Sequence, residues 1–151
     1  MKLLLVQLLD YRFPFGGAHK ANRRLMEAFA ARGHECQVFA PGYETVKPRA
    51  DERERLLAEL AAAEIPVVSQ SADFVVYRQQ GVLVHALVAE FSLASYGRFY
   101  SHLAGQIRDL SPDWVLVSED HTGLFLGAAL ELAPGKVVYI AHAQPTLPFG
   151  P

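Results

Sequence analysis

The stretch MKLLLVQLLDYRFPFGGAHK, residues 1–20, decides how the rest of the chain is read. Leu3-Leu4-Leu5-Val6, continued after Gln7 by Leu8 and Leu9, is a short apolar run of the kind that forms a strand buried on both faces. A polar and aromatic loop, residues 10–15, separates it from the pair Gly16-Gly17. Beyond the pair a helical pattern starts almost at once, with Leu25, Met26, Phe29 and Ala30 on one side and charges on the other. Strand, glycine loop and helix start together point free backbone N–H groups at an anion.

Outward from this stretch, the first helix is expected from Gly17 to about Arg32, with Gly33-His34 as its stop. His34 is read as a helix-end residue. Residues 35–40 form a second strand that ends at the turn signal Pro41-Gly42. The strand–helix–strand unit predicts a parallel pair joined by a right-handed crossover. Residues 50–64 (ADERERLLAELAAAE) predict a charged helix with Leu56, Leu57 and Leu60 inward and a solvated charged face. Pro66 ends it, and Val67-Val68 begins a short strand.

Residues 74–78 and 82–88 are β-rich runs around Gln79-Gln80-Gly81, the spacing of a hairpin with glycine at a positive φ. Antiparallel pairing is expected here alone, at one edge of the sheet. His85 in the second run is read as structural. Residues 92–110 predict a helix with an aromatic face (Tyr96, Phe99, Tyr100), which is core by its spacing. Arg98 and Arg108 are too few to make it a basic membrane helix, so peripheral membrane contact has no support here. Residues 114–118 (WVLVS), 123–132 (GLFLGAALEL) and 136–141 (KVVYIA) predict a buried strand, an apolar helix and a last strand. His142 and a proline-rich tail follow.

Alternation of strands and helices predicts an α/β three-layer sandwich with a mostly parallel twisted sheet and one edge hairpin, built as a single domain over residues 1–151. Ligands of such sheets sit beyond the carboxyl ends of the strands. The polar clusters fall there: residues 10–17 after the first strand, Glu119-Asp120-His121-Thr122 after residues 114–118, and His142 after the last.

With 151 residues, about half of them apolar and a fifth charged, the chain has the composition of a soluble globular domain with a proper core. A formal charge of −2 argues against nucleic-acid binding through a broad basic face. The single cysteine, Cys36, can build neither an internal disulfide nor a thiolate metal cluster, and reads as a core thiol. The apolar start is too short for a signal peptide, and no stretch has the length of a membrane span. A cytoplasmic location is expected.

FGGAHK lacks the spacing of a phosphate-binding P-loop and of GxGxxG. Two glycines before a helix also serve simply as a tight turn. Lys20, Arg23 and Arg24 add positive potential nearby, although the two arginines read rather as exposed helix charges.

The pattern MKLLLV…PFGGAHKANRRLMEAFAARGHECQVFAP resembles the start of the retaining, two-domain (GT-B) glycosyltransferases of the group 1, or family-4, class. Arg32-Gly33-His34-Glu35 supplies the RGHE element, and Cys36 stands where valine is common. The Gly81–His85 segment and the run DWVLVSEDH…VVYIAH are similar to the family as well. The resemblance implies transfer of a sugar from a nucleotide-diphosphate donor to an acceptor with retention, without a metal or other cofactor. It implies that Gly16 and Gly17 approach the donor diphosphate, with Lys20 beside them, and that His142 hydrogen-bonds the transferred sugar. An imidazole there can donate to a hydroxyl or to charge developing as the diphosphate leaves.

Glu119 and Asp120 accept hydrogen bonds from an acceptor hydroxyl or take its proton; alternatively the leaving phosphate does that work. His121 shares the site or caps the next helix. Asp10, Tyr11 and Arg12 are candidate acceptor contacts, because the first loop lies in the cleft of family members.

Family members carry a second domain with the nucleotide site, an Arg/Lys pair and an E-x7-E motif. Glu27…Glu35 and Glu44…Glu52 match that spacing by chance, since the first straddles a helix end and Pro48 interrupts the second. The chain is thus expected to be an acceptor-side, N-terminal half, inactive without its C-terminal counterpart. The rivals are a standalone α/β module that binds an anion or a protein partner, and half of a sugar-nucleotide epimerase. The reading frame beyond Pro151 discriminates among them.

Overall fold

Leu3 and Leu5 of the first strand, β1 (Lys2–Gln7), enter one core cluster, while Leu4 and Val6 enter another. All four are at most 2% exposed, so the strand is covered on both faces, as an unbroken leucine run requires. The computed structural model describes residues 1–12, 16–43, 50–89, 96–118 and 123–141. The elements that follow β1 are α1 (Gly16–Ala31), β2 (Glu35–Pro41), α2 (Glu52–Ala62), β3 (Val67–Gln70), β4 (Phe74–Gln79) and β5 (Val82–Leu87). The remainder are α3 (Tyr96–Leu110), β6 (Trp114–Ser118), α4 (Leu124–Leu132) and β7 (Val137–Ile140).

The seven strands form one sheet in the order β3-β4-β5-β2-β1-β6-β7. Every neighbouring pair is parallel except β3–β4 and β4–β5, so β4 alone runs against the rest. Met26 of α1 and Leu56 and Leu60 of α2 fill the first cluster. Phe99 and Leu103 of α3, with Phe125, Ala128 and Ala129 of α4, fill the second. Helices therefore cover both faces, and the α/β expectation holds with a mostly parallel sheet and four helices among the described residues.

Local chemistry explains the boundaries. Gly33, at φ +81°, closes α1: its N–H reaches Ala30 O at 2.9 Å and the next amide, His34, reaches Phe29 O at 3.1 Å. Gln80 and Gly81 both take left-handed φ values, 49° and 82°, the two-residue turn whose twist suits a hairpin. Gly42 is a case of close approach rather than φ. A Cβ there would lie 2.9 Å from Leu56 Cδ2 and 3.4 Å from Leu87 O, the carbonyl its own N–H bonds.

Two expectations are corrected. The hairpin is not at the edge of the sheet: β3 pairs antiparallel outside β4, and β5 pairs parallel with β2 on its inner side. The short strand expected from Val67-Val68 is present as Val67–Gln70, exposed throughout and held by its pairing with β4. The charged helix is not wholly solvated either, because Glu52 is 1% exposed and pairs with Arg55 one turn on. Helix α3 is described from Tyr96; the residues expected to begin it, 92–95, lie outside the described set.

His85 of β5 stands opposite Phe39 and Val76, and burial pushes its imidazole down from the usual 6.5 to about 4. Between those values the unfolded chain binds a proton that the folded chain excludes. The associated stability is complete above pH 6.5 and is lost as pH falls toward 4, by at most on the order of 3 kcal/mol. Urea midpoints at pH 7 and pH 4.5 should converge less in the parent than in His85→Leu, whose acid loss is expected to be smaller. Equal acid losses would contradict this account.

Candidate functional site at the strand tips

Sheet register aligns Gln7, Ser118 and Ile140 across β1, β6 and β7. Adjacent strands lie about 5 Å apart, so the three carboxyl ends fall within about 10 Å. After β5 the chain crosses to the far side of β1, which makes the β1–β6 seam the point where strand order reverses. Open α/β sheets form their ligand crevices at such a point.

Helix α1 is bolted over that seam by buried polar groups. Asn22 Nδ2 donates to Gln7 Oε1 at 3.2 Å and to Ser118 Oγ at 2.8 Å, while Gln7 Nε2 donates to Leu9 O at 2.8 Å. All three side chains are at most 1% exposed. A polar group buried this deeply is stable only when it is bonded, so the trio fixes both the height and the rotation of α1. His19, one turn earlier, is also buried.

Gly16 and Gly17 begin α1, and both are exposed. Gly16 needs glycine for its φ of +78°. Gly17 has no positive φ, and a Cβ on it would meet no described atom within 4 Å. Neither backbone shape nor crowding among the described residues therefore accounts for glycine at 17. No acidic side chain stands in the first turn to answer the positive helix end, and Lys20 is exposed beside it.

The loop after β1 is held from three directions. Arg12 Nη2 meets Asp10 Oδ2 at 2.5 Å and Gly42 O at 3.2 Å, and Arg12 Nη1 meets Glu59 Oε2 of α2 at 2.6 Å. Arg23 of α1 donates from Nη1 to Arg12 O at 2.5 Å. Burial lowers the Arg12 pKa, but its bonds to Asp10 and Glu59 outweigh that effect and raise it above the ordinary value. Tyr11 is 1% exposed; burial raises its phenol well above its usual value, and its hydroxyl reaches Arg23 O at 3.4 Å. Asp10, Tyr11 and Arg12 thus show almost no surface, and their polar groups engage the chain itself.

The other expected site residues, Glu119, Asp120, His121 and His142, lie outside the described residues. The chain reaches Glu119 directly from Ser118 at the tip of β6, and His142 two residues after Ile140 at the tip of β7. Sequence reasoning missed the Gln7–Asn22–Ser118 bolt and the link from Arg12 to Glu59. A lone Gln7 inside an apolar run and an Asn22 one turn below the glycines were the available signals.

No group of three His, Cys, Asp or Glu side chains among the described residues is placed to hold a metal ion. No described helix is long and apolar enough to cross a membrane. An open cleft at the opposite, amino end of the sheet is lined by Ile107, Pro112, Leu132 and Lys136. Its lysine is turned onto Pro112 O at 3.0 Å, so the cleft offers little chemistry. By fold, the chain is an α/β domain with a mostly parallel seven-stranded sheet. No family model, curated protein or solved structure matches it.

Proposed function

We propose that the chain is the acceptor-side, N-terminal half of a retaining GT-B glycosyltransferase, with a Rossmann-like sheet facing a nucleotide-diphosphate sugar. One observation carries the reading: glycine at position 17 is unexplained by its φ or by any described neighbour, yet it sits at a positive helix end beside the reversing seam. Close approach of a diphosphate to the backbone would account for it. Gly16, Gly17 and Lys20 then meet the donor. His142 hydrogen-bonds the transferred sugar, and Glu119, Asp120 and His121 face the acceptor. Asp10, Tyr11 and Arg12, buried and bonded within the chain, brace the first loop from behind the acceptor cleft rather than touch the acceptor. Transfer breaks the bond from the anomeric carbon to the diphosphate and forms one to an acceptor oxygen on the same face. The acceptor proton leaves to a carboxylate or to the departing phosphate. Cations that neutralise the leaving group come from a second domain in this reading.

The experiment is His142→Ala in the complete enzyme. Transfer is expected to fall by about two orders of magnitude, the scale of a lost donor at developing charge, with the melting temperature unchanged. Transfer at the parental rate would contradict the assignment.

A further inference from the structure

We infer that Glu59, on α2 and far from the glycines in sequence, is a positioning residue for the anion-facing turn Gly16-Gly17. This inference rests on the glycosyltransferase reading for its consequence, though not for its geometry. Arg12 stands four residues before Gly16, and among the described residues its guanidinium is the hub through which the first loop is tied to the body. The Asp10 bonds are local to the loop, and Gly42 O is a neutral acceptor at 3.2 Å. Among the described residues, Glu59 Oε2, at 2.6 Å, is a charged contact that reaches the hub from another element. The backbone of the same residue is held to α1 by Arg23, so Glu59 ties α2 to the loop that feeds the start of α1. Charge-assisted bonds of this kind set geometry closely. Glu59 is 32% exposed and Arg12 only 2%, so the carboxylate can be altered without opening the core.

The test is Glu59→Gln, with Arg55→Gln as control, because Arg55 bonds the other oxygen of Glu59 at 3.2 Å. Two measurements separate the inference from the function on which it builds. In the isolated chain, the amide NMR shifts of Gly16 and Gly17 are expected to move in Glu59→Gln but not in Arg55→Gln, with Gly127 of α4 steady in both. In the complete enzyme, the donor KM is expected to rise about tenfold, the order of a loosened contact loop, while the acceptor KM stays at the parental value. A role confined to stability would lower the melting temperature and leave both KM values alone. Unmoved Gly16 and Gly17 shifts would overturn the positioning role. Moved shifts in a parent protein that transfers no sugar would support the positioning role and reject the glycosyltransferase reading instead.

Discussion

Gly17→Val is expected to fold like the parent and to lose about two orders of magnitude in sugar transfer when made in the complete enzyme. The effect on the fold is small because a Cβ at this position meets no described atom within 4 Å and the backbone φ is ordinary. A β-branched residue in the first helical turn costs only about 0.5 kcal/mol. In the glycosyltransferase reading the effect on transfer is large, because the branched side chain would stand where the backbone comes up against a diphosphate. A misplacement of about 1 Å at such a contact costs on the order of a hundredfold. Thermal melts beside donor-saturation kinetics check this, and the loss should appear chiefly as weakened donor binding. Gly16→Val differs, because a left-handed φ of +78° adds strain to any steric block and destabilises the fold as well.

Arg12→Leu carries the largest expected effect on stability. Arg12 and Asp10 are each 2% exposed and bonded to one another at 2.5 Å. Removing the cation leaves the Asp10 carboxylate buried without its partner and strips Glu59 and Gly42 O of a donor. Breaking a buried pair in this way costs about 3–5 kcal/mol. Urea unfolding should show the loss directly. Combining Arg12→Leu with Asp10→Asn should recover a large part of it, since no buried charge is then left alone. A single variant as stable as the parent would mean that the pair is not buried in solution as described.

The parts of the fold legible in the sequence were those set by local pattern. The leucine run of β1, WVLVS of β6 and the Gln80-Gly81 turn each specify their conformation within a few residues. Strand β3 was legible only as a short strand starting at Val67-Val68; its extent to Gln70 was not, because VVSQ is exposed throughout and owes its conformation to pairing with β4. The parallel strand tips on which the candidate site was placed were legible too, since they depend only on which strands alternate with helices. The internal support of that site was not. Arg12 reads as one polar loop residue and Glu59 as one charge among many on an amphipathic helix. Only the folded chain joins them across 47 positions. Asn22 was equally hidden, for a helical asparagine below a glycine pair has no local reason to be buried, and its partners Gln7 and Ser118 lie on two different strands.

The most direct measurement of the central claim is nucleoside-diphosphate release from a panel of sugar nucleotides, using the longest polypeptide in which this chain occurs. The glycosyltransferase reading predicts release from at least one donor, accelerated by an acceptor and suppressed in Gly17→Val. No release from any donor, together with no thermal stabilisation by any of them, would contradict it.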